Sequence, residues 1–270
     1  MTSLTLTKHH GLGNDFLVVF HPPVADLPAL ARRLCDRRRG VGADGLLIGE
    51  SADGYAAQMV LYNADGSRAE MSGNGIRCFA QALAMQRGNH DDQRILTDAG
   101  ERLVVLSTTD DASVIHAAVD MGEVAALAEP ADWASLGCDP LRPVSHLSLG
   151  NPHSVVGVDD VHDVDLLALG QVVPYVNLEI VQAGPEADAI TMRVHERGAG
   201  ITEACGTGAC ASAWAGAVWG LVAPGTEEIV VHMDGGDATV RLHQPSPGRV
   251  TLVGPAQYVG TVSVEVTECE

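Results

Sequence analysis

The sequence predicts a mixed α/β protein that is built from two related halves. Segments 62–75 and 195–208 align without a gap, and each ends in a small nucleophilic residue followed by Gly-x-Gly. An alanine-rich stretch with helical spacing follows each segment, and much of the remaining chain consists of short apolar or alternating runs that are typical of strands. Repeat and pattern together favour two domains that arose by duplication.

The first half begins with strands and contains two helices. One helix is expected over 27–38 after Asp26 as N-cap, and the other over 76–87, ending before Gly88. A turn with the sequence GLGND separates the first two strands. The strands of this half are expected at residues 3–8, 16–20, 46–48, 56–62, 94–97, 103–107 and 114–120.

The second half repeats this order. Gly150-Asn151 lies at a turn as Gly13-Asn14 does, and the interval from this turn to the nucleophilic position is similar in both halves. A short helix is expected over 164–170, a second one runs from Cys205 to Gly220, and the boundary between the halves is expected near 120–122. Strands are expected at residues 145–149, 154–158, 178–182, 189–195, 228–232, 238–242, 249–253 and 259–266.

Composition narrows the class of protein. The chain has 270 residues, 46% hydrophobic and 19% charged, as expected of a globular protein. A net charge of −19 argues against binding nucleic acid or anionic membranes. We see no membrane-spanning run and no signal peptide, so a soluble cytoplasmic protein is expected.

The sequence favours chemistry without a cofactor or a metal. Lys8 is the only lysine and has no phosphate-binding glycine loop around it, which argues against pyridoxal phosphate, and no Gly-x-Gly-x-x-Gly motif indicates a dinucleotide. The six cysteines, at 35, 78, 138, 205, 210 and 269, form no Cys-x-x-Cys pair, so neither a disulfide framework nor a zinc site is supported. We interpret Cys78 and Cys210 as packing residues inside helices.

Cys205 is the main candidate for a catalytic group. It precedes Gly206-Thr207-Gly208 and a predicted helix, whose N-terminus favours a thiolate, so its pKa is expected below the free value of ~8.5. A thiolate can remove a proton and later return one, and the same N–H groups can hold a carboxylate. The alternative is a buried apolar cysteine.

Ser72 occupies the matching position in the first half. A serine hydroxyl is a far weaker acid than a thiol, so it needs an activating base before it can take a proton. The alternative role is that of a helix N-cap. The repeat indicates that the position nonetheless faces the reaction site.

Further polar residues lie at turns and strand ends. His153, next to a Gly-Asn-Pro turn, is a candidate to orient a group or act as a base, with a structural histidine as the alternative. Glu196 and Arg197 are candidates to bind an ammonium and a carboxylate group, with an exposed ion pair as the alternative. Four asparagines suit the binding of a zwitterion, namely Asn14, Asn63, Asn151 and Asn177.

Six motifs, in order along nearly the whole chain, resemble the diaminopimelate epimerase family. They are HGLGNDF at 10–16, GVGADG at 40–45, NADGS at 63–67, GNGIRC at 73–78, GNPH at 150–153, and ERGAG at 196–200 with ACGTGA at 204–209. The resemblance implies two mirrored domains, each a β-sheet or barrel around a central helix. It places Ser72 in a domain of residues 1–118 plus 258–270, and Cys205 in a domain of residues 119–257.

The resemblance also implies activity and roles. Such enzymes interconvert LL- and meso-diaminopimelate without a cofactor, and a homodimer is expected from the family. Cys205 would be one of two catalytic cysteines, supported in proton transfer by His153 and Glu196. The backbones of Gly73-Asn74 and Gly206-Thr207 would hold the carboxylate at the reacting carbon. The remaining substrate-binding residues would be Asn14, Asn63, Asn151, Asn177, Glu196 and Arg197.

The chain departs from the family pattern at one catalytic position. The family pattern there is Cys-Gly-Asn-Gly, whereas this chain has Ser72-Gly-Asn-Gly. The serine has three explanations: a replacement that disables turnover, a natural serine in an enzyme that still epimerises, or a relative that acts on another amino acid. With Cys205 alone, one-sided chemistry is predicted. Two alternatives stay open, a racemase of the same fold for another amino acid and a catalytically inactive diaminopimelate-binding protein.

Overall fold

The computed structural model describes residues 2–266; Met1 and residues 267–270, with Cys269, lie outside the described residues. The chain divides into two compact units, one formed by the chain through Val119 together with the segment from Gly254 onward, the other by Asp120–Val253. The assignment of these units as the two predicted domains of one enzyme stays a prediction. Within the described part of the chain, no helix is long and apolar enough to cross a membrane.

The first unit is a closed barrel of eight strands. The two helices are α1 (Leu27–Cys35) and α2 (Gly73–Arg87). The strands are β1 (Thr2–Gly11), β2 (Asn14–Phe20), β3 (Gly45–Glu50), β4 (Ala57–Asn63), β5 (Arg68–Ala69), β6 (Gln93–Thr97), β7 (Gly100–Thr108), β8 (Val114–Glu123) and the final β17 (Arg249–Val266). They pair in the order β1-β2-β3-β4-β6-β7-β8-β17, and β17 pairs back with β1.

Helix α2 lies inside this barrel. Every residue of α2 from Gly73 to Ala84 is buried, and the helix contacts β1, β2, β3 and β4. A helix that is buried on all sides is one enclosed by other elements, here by strands. It begins at Gly73, three residues before the predicted start at 76, because Ser72 caps it, and it ends before Gly88, whose φ of 70° gives the left-handed cap.

Helix α1 begins where the sequence predicts and ends earlier. The Asp26 carboxylate accepts a hydrogen bond from the N–H of Ala29, which confirms the N-cap. The helix stops at Cys35, three residues before the predicted end at 38. The reason is Asp36, whose carboxylate accepts from the N–H groups of Arg38 and Arg39 and so stabilises a turn in place of further helix.

The second unit also has strands around a central helix. Two helices, α3 (Leu166–Val172) and α4 (Gly206–Trp219), accompany a 3₁₀ turn at Trp133–Leu136. The strands are β9 (Ala125–Ala126), β10 (Val144–Ser148), β11 (Pro152–Gly157), β12 (Asn177–Ala183), β13 (Ala189–Glu196), β14 (Gly200–Thr202), β15 (Glu228–Met233) and β16 (Gly236–Leu242). They pair in the order β9-β10-β11-β12-β13-β15-β16-β17, and α4 contacts β10 to β13 as well as β15 and β16.

The predicted fold class, strands wrapped around a central helix in each half, is therefore confirmed. A further expectation was wrong: the predicted strands 249–253 and 259–266 are one continuous strand, β17. Gly254 and Pro255, which lie between the two predicted strands, pack against Arg77 instead of forming a turn. The Arg77 guanidinium lies against Gly254, where a Cβ would stand 3.1 Å from Cζ, and Arg77 Nε donates to the Pro255 carbonyl at 3.1 Å.

Candidate active site

Cys205 is the N-cap residue of α4. Its backbone is extended, with φ −128° and ψ 113°, and its Sγ accepts a hydrogen bond from the N–H of Gly208 at 3.4 Å. The Thr207 Oγ1 lies 3.6 Å from the same sulfur. Gly208 is required here, because a Cβ would stand 3.2 Å from Sγ and 2.7 Å from Oε1 of Glu179. The sulfur thus lies among backbone and side-chain donors at the start of a buried helix.

Ser72 has the same local geometry in the first unit. It is the N-cap of α2, with φ −138° and ψ 124°, and its Oγ accepts from the N–H of Gly75 at 3.0 Å. The matched position in the repeat is therefore also matched in backbone conformation and in the hydrogen bond of the side chain. The N-cap role and the candidate catalytic position are compatible in both units.

The expectation that the pKa of Cys205 is lowered was wrong. Burial removes water from the thiolate and raises the pKa of the Cys205 thiol well above its ordinary value; the Glu196 carboxylate raises it further, as does Glu179 when it is ionised. The hydrogen bonds from Thr207 and Gly208 act in the opposite direction and do not compensate. In this structure Cys205 is therefore a neutral thiol at neutral pH, which is the form that donates a proton.

A chain of hydrogen bonds connects Cys205 to the interior of the second unit. Asn151 Nδ2 donates to Thr207 Oγ1 at 3.2 Å, and Asn151 Oδ1 lies 3.0 Å from Nε2 of His153. On its other side, His153 Nδ1 lies 2.6 Å from Oε1 of Glu179. Three of the sequence candidates, Asn151, His153 and Thr207, are thereby brought together with Cys205.

Glu179 is a residue that the sequence analysis missed. Its side chain and that of His153 have no exposed surface, and burial raises the pKa of the Glu179 carboxyl. The available signal was a single acidic residue within the apolar run of β12, whose pattern is otherwise that of a buried strand. A lone buried carboxyl next to a histidine is a functional candidate by its environment.

Glu196, Arg197 and Asn177 meet at the ends of β12 and β13. Asn177 Oδ1 accepts from the backbone N–H of Arg197 at 2.9 Å, while its Nδ2 donates to the Pro152 carbonyl at 3.1 Å. Glu196 Oε1 accepts from the Thr202 hydroxyl at 2.5 Å. Asn177 is therefore buried and fixes the strand end that carries Arg197.

In the first unit, Asn14 and Asn74 are brought together. Asn74 Nδ2 donates to Asn14 Oδ1 at 3.2 Å, and Asn14 Nδ2 donates to Asp44 at 2.7 Å. Arg77, which is fully buried, donates to Asn74 Oδ1 at 2.7 Å. The amide of Asn63 is engaged elsewhere, donating to Ser67 at 3.0 Å at the end of β4. Asp44 and Arg77 were not predicted, although both lie within the quoted motifs.

Neither a metal site nor a lysine available for a Schiff base is evident in the described residues. Among residues 2–266, no three His, Cys, Asp or Glu side chains are grouped so that they could hold a metal ion. Lys8 is engaged with the Asp15 carboxylate at 2.8 Å and the Gly42 carbonyl at 2.7 Å.

Solved structures of other proteins share this fold. A phenazine biosynthesis protein of the PhzF family from Bacillus anthracis is 14% identical, with a TM-score of 0.73 over 98% of this chain and 100% of the other. A hydroxyproline epimerase from Agrobacterium vitis is 15% identical, with a TM-score of 0.69 over 97% of this chain and 92% of the other. Identities this low show the fold alone, and the class they define is that of α/β proteins with two units, each with strands around a central helix.

Sequence comparison identifies the family. The family model for diaminopimelate epimerase matches residues 6–127 and 146–259. A diaminopimelate epimerase of Halothermothrix orenii is 38% identical over 98% of this chain and 99% of its own length. One from Thermosynechococcus vestitus is 39% identical over 95% of this chain and 98% of its own length. The chain therefore belongs to the diaminopimelate epimerase family, and it is an isomerase.

Proposed function

We propose that this protein interconverts LL- and meso-diaminopimelate by proton transfer at the α-carbon, a step toward lysine and peptidoglycan, without a cofactor. Cys205 serves one face of the carbon and Ser72 stands in the position that serves the other. The observation that carries the proposal is the Cys205 side chain at the buried start of α4, in a chain that belongs to this family. The cytoplasm and a homodimeric state are proposed on the family resemblance alone.

The backbone at each helix start supplies the binding of the reacting carboxylate. The N–H groups of the first helical turn carry partial positive charge, so Gly73-Asn74 and Gly206-Thr207 are proposed to hold the carboxylate as the α-carbon loses its proton. This interaction strengthens as charge develops toward the enolate. The distal amino acid group of the substrate is then bound by the remaining polar residues, namely Asn14, Asn63, Asn151, Asn177, Glu196 and Arg197.

The two proton-handling groups are proposed to act unequally. Cys205 is a neutral thiol at neutral pH and is poised to donate; to act as base it must first lose its own proton. Ser72 accepts the N–H of Gly75, and a serine hydroxyl is a weak acid. Epimerisation is therefore expected to be slow in the direction that needs the Ser72 side as base. His153 and Glu196 are proposed to support proton transfer at Cys205.

A substrate panel tests the proposal. Purified protein is incubated separately with LL-diaminopimelate, meso-diaminopimelate, L-proline, trans-4-hydroxy-L-proline and L-histidine, and the stereoisomers are separated by chiral chromatography. Conversion of diaminopimelate, with no conversion of the other amino acids, is the expected result. Conversion of another amino acid at a higher kcat/KM would replace diaminopimelate as the substrate.

Ser72 favours a second candidate, a protein that binds diaminopimelate and turns none over. The structure of the helix starts is retained in both units, so binding is expected whether or not chemistry survives. Titration calorimetry with meso-diaminopimelate separates the candidates. Binding without any change of stereochemistry over prolonged incubation would establish the binding-only protein.

A further inference from the structure

The two units differ at the positions that correspond to His153 and Glu179. Parallel strands β2 and β3 place Phe16 opposite Gly45, and parallel strands β11 and β12 place His153 opposite Asn177. In this matched register, Leu47 of the first unit corresponds to Glu179 of the second. The Ser72 unit thus has two apolar side chains where the Cys205 unit has a histidine and a glutamate.

The hydrogen-bond chain behind Cys205 has a defined direction. An amide oxygen only accepts, so Asn151 Oδ1 requires a hydrogen on His153 Nε2, 3.0 Å away. An amide nitrogen only donates, so Thr207 Oγ1 accepts from Asn151 at 3.2 Å. The hydroxyl hydrogen of Thr207 is then left for the sulfur of Cys205, 3.6 Å away.

The direction of this hydrogen-bond chain also determines how many protons His153 and Glu179 hold between them. With a hydrogen already on Nε2, the 2.6 Å contact between His153 Nδ1 and Glu179 Oε1 holds one further proton, on either atom. Both placements leave the pair with no net charge, which suits two side chains without exposed surface. Glu179 Oε2 accepts no hydrogen bond within the described residues, as expected for a carboxyl that shares a proton.

We propose that Glu179 is a positioning residue for Cys205: by sharing a proton with His153, it fixes the direction of the chain so that Thr207 donates to the sulfur. With this proton in place, Glu179 adds no net charge beside Cys205, and Glu196 is the remaining acidic neighbour. Thr207 and Gly208 then supply two donors to the thiolate that forms when Cys205 gives up its proton. The inference deepens the function proposed above and rests on it.

In the first unit, the equivalent hydrogen-bond chain ends at two charged side chains, those of Arg77 and Asp44. Asn74, in the position of Thr207, donates to Asn14 and accepts from the Arg77 guanidinium. Asn14 in turn donates to the Asp44 carboxylate. The pair that shares a proton therefore lies in the unit that contains Cys205, whose side chain must cycle between thiol and thiolate.

Nitrogen-15 NMR of histidine-labelled, substrate-free protein tests the shared proton directly. His153 is expected to carry a hydrogen on Nε2 near pH 7, and to show a far-downfield proton at Nδ1 that disappears in Glu179→Gln. The resonance is assigned by its loss in His153→Phe, which copies Phe16 of the first unit. A His153 that carries its only hydrogen on Nδ1 would overturn the proposal.

Alkylation of Cys205 tests the effect on the sulfur without any substrate. The rate with iodoacetamide near pH 7 is measured by mass spectrometry of the fragment that contains Cys205. Glutamine is as neutral as the protonated pair, and its amide N–H can donate to His153 Nδ1, which keeps the hydrogen on Nε2 and the direction of the chain. Glu179→Gln is therefore expected to react within about twofold of the unaltered protein. An acceleration of tenfold or more would mean that Glu179 is a bare carboxylate, and would overturn the proposal.

The last link of the chain has its own matched pair of variants. Thr207→Val removes the hydroxyl and is expected to slow alkylation roughly tenfold, whereas Thr207→Ser keeps the hydroxyl and the rate. Equal rates for the two variants would overturn the claim that the chain ends on the sulfur. None of these measurements uses diaminopimelate, so a protein that fails to epimerise it but passes these tests refutes the proposed function and leaves the inference standing.

Discussion

Placing a thiol at position 72 is the perturbation that bears most directly on the difference between the two units. Ser72 and Cys205 have nearly the same backbone angles, −138° and 124° against −128° and 113°. The Ser72 Oγ already accepts from Gly75 at 3.0 Å, as the Cys205 Sγ accepts from Gly208 at 3.4 Å. Ser72→Cys therefore exchanges one atom in a backbone conformation that a cysteine is known to adopt in this molecule.

The expected gain follows from the missing acid–base group. General acid–base catalysis contributes roughly 10²–10⁴-fold, so the rate of diaminopimelate epimerisation by Ser72→Cys should rise by a factor in that range. The cost in stability should stay below about 1 kcal/mol, because an N-cap acceptor is retained in weaker form. Initial rates in both directions, measured by chiral chromatography, give the gain.

Two controls make this result decisive. Ser72→Ala removes the hydroxyl and should epimerise no faster than the unaltered protein. Ser72→Cys combined with Cys205→Ala should lose the gain, because both faces of the carbon need a proton-handling group. A folded Ser72→Cys protein with an unchanged rate would refute the assignment of position 72 as the weaker partner.

Three further results are expected. Iodoacetamide alkylation of Cys205 should keep accelerating with pH beyond about 9, since burial raises the pKa of this thiol, and a plateau at or below about pH 8 would contradict that. Gly208→Ala places a Cβ 2.7 Å from Oε1 of Glu179 and should therefore destabilise the protein. Its free energy of unfolding, measured by urea denaturation, should be about 1–3 kcal/mol below that of Gly216→Ala in the same helix. Equal stability of the two variants would contradict the packing account. Burial lowers the pKa of His9 from 6.5 to about 4, so the unfolded chain binds more protons than the folded chain between these pH values. The free energy of unfolding should therefore fall by up to about 3 kcal/mol as the pH drops from 6.5 to 4. In denaturant titrations, His9→Gln should lose this part of the pH dependence.

Much of the fold could be predicted because local signals agreed with the tertiary structure. Asp26 caps α1, and Gly88 and Gly220 end α2 and α4 in the left-handed conformation, as their residue types indicate. The repeat located Ser72 and Cys205, the residues that precede the two central helices, although the predicted start of α2 at 76 was three residues late. The prediction divided strand β17 in two, because the packing of Gly254 and Pro255 against Arg77 is visible only in three dimensions.

The chemistry of the site was less accessible from the sequence. The sign of the pKa shift at Cys205 depends on burial, which outweighs the helix N-terminus, and a linear sequence shows the helix but not the depth of the side chain. Glu179 lies in an apolar strand, 26 positions from its partner His153, so no local spacing links the two. Register between β11 and β12 brings them together, and register is a product of folding.

The most direct test of the proposed chemistry is α-proton exchange in D₂O, measured separately with LL- and meso-diaminopimelate. Deuterium at the α-carbon is followed by mass spectrometry, and stereochemistry by chiral chromatography, in the same samples. The account predicts that one isomer exchanges much faster than it inverts, because Cys205 handles its proton alone while Ser72 is slow. Exchange and inversion at equal rates from both isomers would contradict the unequal roles of Ser72 and Cys205, and no exchange with either isomer would contradict the proposed function.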